Sequence, residues 1–588
     1  MSLKALLVSI LIIVSLHFIY YPKWKEIRTE ATLSWDVSGY YMYLPATFIY
    51  KDLKKCTFKD DILEKYNPTP NFQQAFIHPP SGNYVMKYSI GQAIIMSPYF
   101  AVAHLWASNN ARYPADGFSL PYQFLISLGS LIIAIIGLIY LRKSLISYYD
   151  DKVVAITLLS LVIGTNYLNY SALDGAMTHN SLFTIYAILI HLSIQFHKKP
   201  SSLSAVGIGL CVGLAALTRP TEIISCLIPI FWGTNLLKLS AIWERIEFIL
   251  AKWRLLAIAV IVTISVGFIQ LIYWKYVSGE WIVYSYEDQG FSWLRPHFVD
   301  GVFSYKSGWF MYTPFMVFTI LGFIPLYQKQ KKVFFTAIIF FSLFFYITFA
   351  WDIWWYGGSI GQRAMVQSYP ILAFPLAAFV AMLLKSNNRI LQIVVCGLAA
   401  LFIYTNLWFT HQAHKGGLFQ SSQMNKAYYW KTLFTYEKND EHKKLLDQVP
   451  EIYEGELLNK TTVFRDSSYY EMLNGEKQRT DTLSIPINDL SSLSQWMRIS
   501  INAKIKQKEW TFWRMTHLMV DLKNEDELVT TYWIRMQRHM NDNGVKRIFM
   551  DIRKPTQKIS AIEVSFWNGE GQKEIILNDI IVETFDEE

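Results

Sequence analysis

The sequence contains little charge for its length. Of its 588 residues 17% are charged, whereas 52% are hydrophobic and 16% aromatic, and the hydrophobic residues are gathered in long runs. This composition excludes a soluble protein of several domains, which would need more charged surface than the chain provides. It is typical of a polytopic membrane protein, in which each crossing helix buries about 20 apolar residues in the bilayer.

Cysteine is also scarce, and its spacing excludes two kinds of site. The four cysteines include no Cys-x-x-Cys pair, and three of them lie within apolar runs. Neither a disulfide framework nor a zinc site follows from such a pattern. The residues concerned are Cys56, Cys211, Cys226 and Cys396.

No basic stripe accompanies the formal net charge of +8. Lysine and arginine instead occupy the short segments between apolar runs, where they carry information about membrane topology. We therefore expect no nucleic-acid partner. The chain also contains no internal repeat and no low-complexity tract.

The apolar runs predict about eleven membrane helices. The first covers residues 6–20 and lacks a small-residue cleavage site, so we expect an uncleaved anchor. Residues 90–106 are apolar too, but they contain Pro98 and are short for a crossing, so a spanning and a surface position both stay open. The other runs are 120–140, 153–170, 181–196, 203–218, 223–237, 255–277, 310–327, 333–350, 365–384 and 390–409.

The basic residues fall in alternate connecting segments, which the positive-inside rule assigns to the cytoplasm. We therefore predict a multi-pass protein of the plasma (inner) membrane with a cytoplasmic N-terminus. Residues 22–119 then form a first extracytoplasmic loop with surface helices. The basic residues are Arg142, Lys143, Lys198, Lys199, Lys238, Arg245, Lys252, Arg254, Lys329, Lys331, Lys332, Lys385 and Arg389.

From about residue 410 the pattern changes from long apolar runs to short alternating ones. Tyr532, Ile534 and Met536, for example, would lie on one face of a strand. We predict two domains, a transmembrane domain over 1–409 and an extracytoplasmic, mostly β accessory domain over 410–588 that is similar to a sandwich.

Among the polar residues predicted next to the membrane, Asp36 comes directly after the first helix. An ionisable group beside a bilayer is a candidate for function, although a solvated loop acid is the alternative. Arg219 and Arg363 lie at the outer ends of predicted helices, and the planar fork of arginine can donate two hydrogen bonds to one phosphate. Lys87 and Lys306 are further cationic candidates. The alternative for all four cations is a side chain that snorkels to water at the interface.

With these residues the chain resembles the GT-C glycosyltransferases. The resemblance covers residues 1–409 and rests on Asp36 after the first helix, on His78-Pro79-Pro80, on the apolar segment beyond them, and on residues 214–220 at the end of a later helix. The bacterial members related to protein mannosyltransferases and aminoarabinose transferases are the most similar in appearance.

This resemblance implies a reaction and two roles. In that family a polyprenyl-phosphate sugar donor lies between membrane helices, and the acidic residue of the first outer loop is the general base, a role that falls on Asp36. The family often has a basic residue before its Pro-Pro pair, in contact with the donor phosphate, where this chain has His78. The second acid that is common in the family is replaced here by Trp35.

We therefore expect an integral membrane glycosyltransferase of the cell envelope, a hexosyl- or pentosyltransferase that depends on a lipid-phosphate sugar. Its acceptor would be a saccharide, a lipid or a protein on the extracytoplasmic face, and membrane lipids would surround it. Two other functions stay open. A transporter or flippase for a lipid-linked saccharide would favour ionisable residues within the spans and two similar halves. The third function is a polymerase or ligase of surface polysaccharide.

The residue chemistry supports the same transferase function. Inverting glycosyl transfer requires a carboxylate to take a proton from the acceptor hydroxyl and cations to stabilise the departing phosphate. Aromatic side chains stack on sugars, but an aromatic belt at the interface explains them equally well. An Asp and a His after a helix can bind an acceptor, or can cap the next helix. The further candidates for substrate binding are Tyr88, Asp174, His179, Glu222, Trp354 and Tyr356.

We expect no cofactor, although a divalent metal stays open. Glu287 and Asp288 would join Asp36 as oxygen ligands for magnesium or manganese. No spaced ligand motif supports such a site.

Overall fold

The computed structural model describes residues 1–69, 72, 74–286, 289–421, 423–446, 453, 455–474, 477–487, 494–505, 516–525, 527–536, 539, 544–555, 557–568 and 574–587. Within them the chain divides into two compact units, Met1–Met424 and Asn425–Glu588. The domain boundary between residues 409 and 410 stays a prediction.

The first unit is built from helices and one short antiparallel hairpin. The hairpin pairs β1 (Ala75–His78) with β2 (Asn83–Met86). The helices are α1 (Ser2–Ser15), α2 (Trp35–Tyr41), α3 (Tyr43–Phe48), α4 (Lys59–Tyr66), α5 (Gly91–Ser108), α6 (Leu120–Ile146), α7 (Asp151–Gly164), α8 (Tyr167–Ala172), α9 (Thr178–Lys198), α10 (Ser202–Thr218), α11 (Leu227–Phe231), α12 (Leu239–Ala251), α13 (Trp253–Ser278), α14 (Phe298–Phe303), α15 (Trp309–Tyr312), α16 (Val317–Lys329), α17 (Lys331–Ala350), α18 (Tyr369–Lys385) and α19 (Arg389–His411).

Long apolar helices make this unit a polytopic membrane domain, as predicted. Among the described residues, six helical stretches are long and apolar enough to cross a membrane. The count of about eleven stays a prediction, because further helices are shorter or less apolar than a single crossing requires. The six stretches are Ser2–Lys25, Leu120–Ile146, Trp253–Ser278, Lys331–Ala350, Arg363–Lys385 and Arg389–Gly416, and the shorter apolar ones are Ser202–Thr218 and Pro220–Phe231.

The apolar segment at residues 90–106, which could span the membrane or lie on its surface, forms one helix, α5, that contains Pro98. One side of α5 is buried, including Met96, Phe100 and Ala103, whereas Val102 and Leu105 are exposed. The helix is not among the six long apolar stretches. Whether it spans the membrane or lies on the surface stays a prediction.

Small residues allow close contacts between the helices that support the C-terminal end of α10. A Cβ added to Gly209 would lie 2.5 Å from the carbonyl oxygen of Ala259 in α13. At the start of α5, a Cβ added to Gly91 would lie 2.4 Å from the backbone nitrogen of Thr218. Close packing through small residues is typical of membrane helices. These contacts hold the segment that begins at Arg219 against two neighbouring helices.

The second unit contains two antiparallel four-stranded sheets, in the orders β3-β10-β5-β8 and β4-β9-β6-β7. Their inner faces form one apolar core, to which β5 contributes Ile499 and β6 contributes Val520. The strands are β3 (Leu458–Leu473), β4 (Leu483–Pro486), β5 (Trp496–Ile505), β6 (His517–Asn524), β7 (Glu527–Arg535), β8 (Gly544–Arg553), β9 (Ala561–Trp567) and β10 (Ile575–Asp586), and two short helices, α20 (Lys426–Thr432) and α21 (Asp440–Lys443), precede them.

The alternation of hydrophobic residues that predicted these strands agrees with the side chains that are buried in them. Ile534 and Met536 are fully buried, and Tyr532 is partly buried against the same core. Because alternate side chains of a strand point to opposite faces, this set lies on the inner face of its sheet. The predicted C-terminal β domain with sandwich-like packing is confirmed.

Candidate active site

A cavity of about 310 Å³ lies in the first unit. Its walls come from α2, from the segment after β2, from the start of α9, from the residues after α10, and from both ends of the segment that joins α17 to α18. Residues that are far apart in the sequence therefore meet here. The predicted site residues on its walls are Asp36, Lys87, Tyr88, His179, Arg219, Glu222, Tyr356 and Arg363.

The carboxylate of Asp36 is held by two donors. Arg363 donates from Nη2 to Oδ2 at 2.6 Å, and the Tyr88 hydroxyl donates to Oδ1 at 2.7 Å. Burial alone would raise the pKa of Asp36, but the Arg363 guanidinium, the Tyr88 hydroxyl and the Lys87 ammonium outweigh it and hold that pKa below its usual range. Asp36 is therefore an ionised carboxylate at neutral pH.

Left-handed backbone occurs on two sides of the cavity. Trp35, directly before Asp36, has φ +47°, and its N–H donates to the carbonyl oxygen of Pro68 at 3.1 Å. Across the cavity Tyr356 has φ +53° and is followed by Gly357 with φ +68°. Such conformations cost about 1–3 kcal/mol at a residue other than glycine and persist only where the surrounding structure holds them.

Arg219 follows the last residue of α10, and its guanidinium lies over the ring of Tyr356, 5.2 Å from the ring centroid. The Tyr356 hydroxyl donates to the carbonyl oxygen of Thr348 at 2.9 Å, which orients the ring. Within the described part of the chain, no carboxylate forms a salt bridge with Arg219 or with Lys87. Of the three cations on the cavity wall, Arg363 is thus salt-bridged to Asp36, whereas Arg219 and Lys87 form no salt bridge with any described residue.

A chain of buried polar groups forms another part of the wall. The Tyr186 hydroxyl donates to Oε2 of Glu222 at 2.5 Å, and Gln367 donates from Nε2 to Oε1 of the same carboxyl group. The Oε1 of Gln367 lies 2.9 Å from Nδ1 of His179. His179, Glu222 and Gln367 all line the cavity.

Four predicted site residues do not line the cavity. His78 lies in the β1–β2 hairpin, with Nδ1 3.0 Å from the Ser81 hydroxyl oxygen and Nε2 3.8 Å from Glu280. Asp174 forms an ion pair with Lys23 and accepts a hydrogen bond from Asn169 at 2.9 Å.

The other two lie near each other. The ammonium of Lys306 is 3.5 Å from the ring centroid of Trp355, and the neighbouring Trp354 accepts a hydrogen bond at its carbonyl oxygen from Gln362 at 3.0 Å. Their roles in substrate binding stay predictions.

Several cavity residues were not predicted from the sequence. Tyr40 is four residues after Asp36 in α2, and Gln367 is four residues after Arg363 in a helical segment. Residues four apart share a face of an α-helix, and this spacing was the available signal for Tyr40. Gln367 lies in a 3-10 helix, whose repeat is three residues, so this spacing gave no signal there. Tyr286, whose ring contacts that of Trp351 with centroids 5.3 Å apart, comes from a loop that offered no such signal.

No group of three or more His, Cys, Asp or Glu residues within the described ranges is arranged to hold a metal ion. Glu287 and Asp288, the suggested partners of Asp36 in a divalent-metal site, lie outside the described residues. The metal site therefore stays untested.

The chain was compared with protein families, with curated proteins and with solved structures. No family model matches the sequence, and no curated protein matches it. Among solved structures the chain is similar to the arabinosyltransferase EmbB from Mycobacterium smegmatis, determined by single-particle cryo-EM, with 10% identity, a TM-score of 0.26, and coverage of 84% of this chain. The match covers 65% of the EmbB chain, so this chain spans less than two thirds of that protein's length.

Proposed function

We propose that this chain is an integral membrane glycosyltransferase that moves a sugar from a polyprenyl-phosphate donor to an acceptor hydroxyl on the extracytoplasmic face, with Asp36 as the general base. One observation carries the proposal. An ionised carboxylate, Asp36, and two cations that form no salt bridge in the described part of the chain, Arg219 and Lys87, line the same cavity. This pairs a proton acceptor with an anion-binding wall, the two functions that transfer from a sugar phosphate requires.

Asp36 suits the role of base because it is oriented and retains accepting capacity. A carboxylate has about four lone-pair sites, and the hydrogen bonds from Tyr88 and Arg363 occupy one on each oxygen. An acceptor hydroxyl can therefore donate to a remaining site and lose its proton there as the glycosidic bond forms. General base catalysis of this kind contributes about 100-fold to 10,000-fold in rate.

The arginines suit the role of a phosphate clamp. Arg363 donates to Asp36 from Nη2, and its buried Nε has no hydrogen-bond partner among the described residues. The Arg219 guanidinium lies above the ring of Tyr356. Guanidinium groups can bind a phosphate with two parallel hydrogen bonds, and neutralising the phosphate charge makes it a better leaving group. The departing lipid phosphate then needs no general acid.

The test is sugar transfer by the full chain in lipid nanodiscs. Undecaprenyl-phosphate pentoses and hexoses serve as donors with a panel of saccharide, lipid and peptide acceptors, and mass spectrometry detects the new glycosidic bond. Asp36→Asn is nearly isosteric but cannot take a proton at neutral pH, so we expect retained donor binding and a loss of about 100-fold to 10,000-fold in transfer.

Asp60→Asn is the matched control, because Asp60 lies in the same extramembrane stretch, is well exposed, and is not on the cavity. We expect the control to transfer at the wild-type rate. Transfer by Asp36→Asn at the wild-type rate would show that Asp36 is not the general base. Movement of the donor across the bilayer by the wild type, with no glycosidic bond formed to any acceptor, would support a transporter instead.

A further inference from the structure

Three buried residues form a directed hydrogen-bond chain that ends at the cavity. Glu222 accepts from the Tyr186 hydroxyl and from Nε2 of Gln367, and the Oε1 of Gln367 lies 2.9 Å from Nδ1 of His179. Glu222, Gln367 and His179 are each no more than 2% exposed. With Glu222 ionised, a fully buried chain of this kind has one satisfied arrangement of protons, because a reversed amide would place the Gln367 oxygen against a Glu222 oxygen, two acceptors facing each other.

The direction of the chain sets the tautomer of His179. Each Glu222 oxygen accepts one hydrogen bond, from Tyr186 and from Gln367, as in an ionised carboxylate, so with Glu222 ionised the amide nitrogen of Gln367 faces Glu222 and the amide oxygen faces His179. An amide oxygen accepts, so Nδ1 of His179 carries the hydrogen. Burial, together with the charges of Arg219 and Arg363, holds the pKa of His179 well below its usual range. In the neutral ring Nε2 then carries a lone pair and no hydrogen.

This lone pair is available to a ligand. His179 lines the cavity, and its Nε2 has no hydrogen-bond partner among the residues that the structure describes. A phosphate of the donor offers acceptor oxygens, which a lone pair repels, and it is attracted instead to the guanidinium groups on the same cavity. A hydroxyl group donates a hydrogen bond and suits Nε2.

We propose that Nε2 of His179 accepts a hydrogen bond from one hydroxyl group of a sugar in the cavity, and that Gln367 and Glu222 are positioning residues that keep Nε2 unprotonated. The inference rests on the proposed glycosyl transfer, because it names the sugar group that the cavity selects. It divides the cavity into a cationic part for phosphate and a neutral accepting part for sugar. The hydroxyl belongs to the donor sugar or to the acceptor, and the experiment separates the two.

The first experiment identifies the tautomer of His179 directly, without substrate. Nitrogen-15 NMR of the full chain with labelled histidine distinguishes Nδ1–H from Nε2–H, and His179→Gln identifies the signal. His17 is an internal reference, because its Nδ1 lies 3.0 Å from the carbonyl oxygen of Ala172 and must also carry the hydrogen. We expect His179 to show the Nδ1–H form and Gln367→Leu to convert it to a mixture, with His17 unchanged. An Nε2–H form in the wild-type protein would overturn the proposal.

The second arm reads recognition of the hydroxyl. Undecaprenyl-phosphate sugars and saccharide acceptors are each compared with their single-deoxy analogues, first in donor binding and then in transfer. For the wild type, removal of one particular hydroxyl should weaken binding or kcat/KM about 5-fold to 100-fold, the effect of one lost hydrogen bond to a buried acceptor.

Variants of His179 test whether Nε2 is the atom that discriminates between the parent sugars and their deoxy analogues. In His179→Phe the deoxy and parent compounds should differ by less than about threefold, whereas His179→Gln, which places an amide oxygen near the position of Nε2, should recover part of the discrimination. His191→Phe is the matched control, because His191 lies on α9 about three turns further along and is not on the cavity. It should behave as the wild type.

The outcomes separate this inference from the proposed function. Loss of discrimination in donor binding assigns the hydroxyl to the donor sugar, and loss in transfer alone assigns it to the acceptor. Equal discrimination in wild type and His179→Phe would overturn the inference while transfer itself continues. Absence of transfer by the wild type would overturn the proposed function, and the NMR arm and donor binding would still decide the role of Nε2.

Discussion

Arg363 Nη2 lies 2.6 Å from Asp36 Oδ2, although the two residues are 327 positions apart in the sequence. The pair joins the short helix after the first apolar stretch to the segment before α18. The Arg363 guanidinium thus contacts the Asp36 carboxylate on a cavity whose walls also carry Arg219 and Lys87. A substitution of Arg363 should therefore change the pKa of Asp36 as well as the binding of phosphate.

The pH dependence of transfer tests this relationship. Arg363→Gln keeps a hydrogen-bond donor but removes the charge that outweighs the burial of Asp36, so the pKa of Asp36 should rise. The base acts in its ionised form. The acidic limb of kcat/KM should therefore lie below the usual pKa of 3.8 in the wild type and move to higher pH in the variant. An unmoved acidic limb would show that Asp36 does not control the rate.

Donor affinity tests Arg219. Arg219→Ala should weaken binding of undecaprenyl-phosphate sugar roughly 10-fold to 100-fold, the worth of about 1.5–3 kcal/mol for hydrogen bonds to a charged group. Lysine should restore only part, because it keeps the charge without the fork. Arg112→Ala is the control, since Arg112 also lies over a tyrosine ring, at 5.6 Å from Tyr113, but away from the cavity. Equal affinities in all three variants would exclude a phosphate contact.

A smaller effect is expected from Tyr88→Phe, which removes one hydrogen bond to Asp36 and little volume. The rate of transfer should fall about 2-fold to 10-fold, in line with a net hydrogen-bond contribution of ~0.5–1.5 kcal/mol. Tyr66 makes a similar bond to Asp116 at 2.6 Å off the cavity, and Tyr66→Phe should leave the rate unchanged. If both variants lose the same factor, the loss reflects general loosening of the fold.

Thermal stability tests the ion pair of Asp174 with Lys23. Burial raises the pKa of Asp174, but Lys23, His414 and Asn169 outweigh it and hold that pKa below its usual value of 3.8. Because the pKa is depressed in the folded protein, the stabilisation is present above 3.8 and is lost as the pH falls through the folded value.

Asp174→Asn should therefore destabilise the protein by about 3 kcal/mol at neutral pH, as expected when one partner of a buried pair is removed. The difference in Tm from the wild type should begin to narrow below about pH 4, where the Asp174 carboxylate of the unfolded wild-type chain takes up a proton while that of the folded chain stays ionised. Asp60→Asn, at an exposed pair, should show no such pH-dependent difference. A constant Tm difference between pH 7 and pH 3 would contradict this account.

Reporter fusions test the membrane orientation. The junction of α16 and α17, with Lys329, Lys331 and Lys332, should be cytoplasmic and the chain after residue 424 extracytoplasmic, because lysine and arginine are retained on the cytoplasmic side. A reporter inserted at residue 331 should therefore be active only inside, and one fused after residue 424 only outside. The opposite pattern at both positions would invert the topology and place the cavity on the other side of the membrane.

The sequence by itself determined the classes of structure and the chemical types at the site. Long apolar runs and period-two alternation are local properties, and they predicted the helical membrane unit and the β unit because helices and strands form from neighbouring residues. Asp36 was singled out as an ionisable group next to the membrane, and Arg219 and Arg363 as guanidinium groups at the ends of apolar runs that can bind a phosphate with two hydrogen bonds.

Only the tertiary structure decided how these groups are used. In the folded chain Asp36 forms an ion pair with Arg363, Asp174 forms an ion pair with Lys23, and Gln367 lies between Glu222 and His179. None of these contacts is local, and each depends on how distant helices pack. Hydrogen bonding and charge pairing act over only a few ångströms, so they cannot be assigned to particular partners until the packing has set those distances.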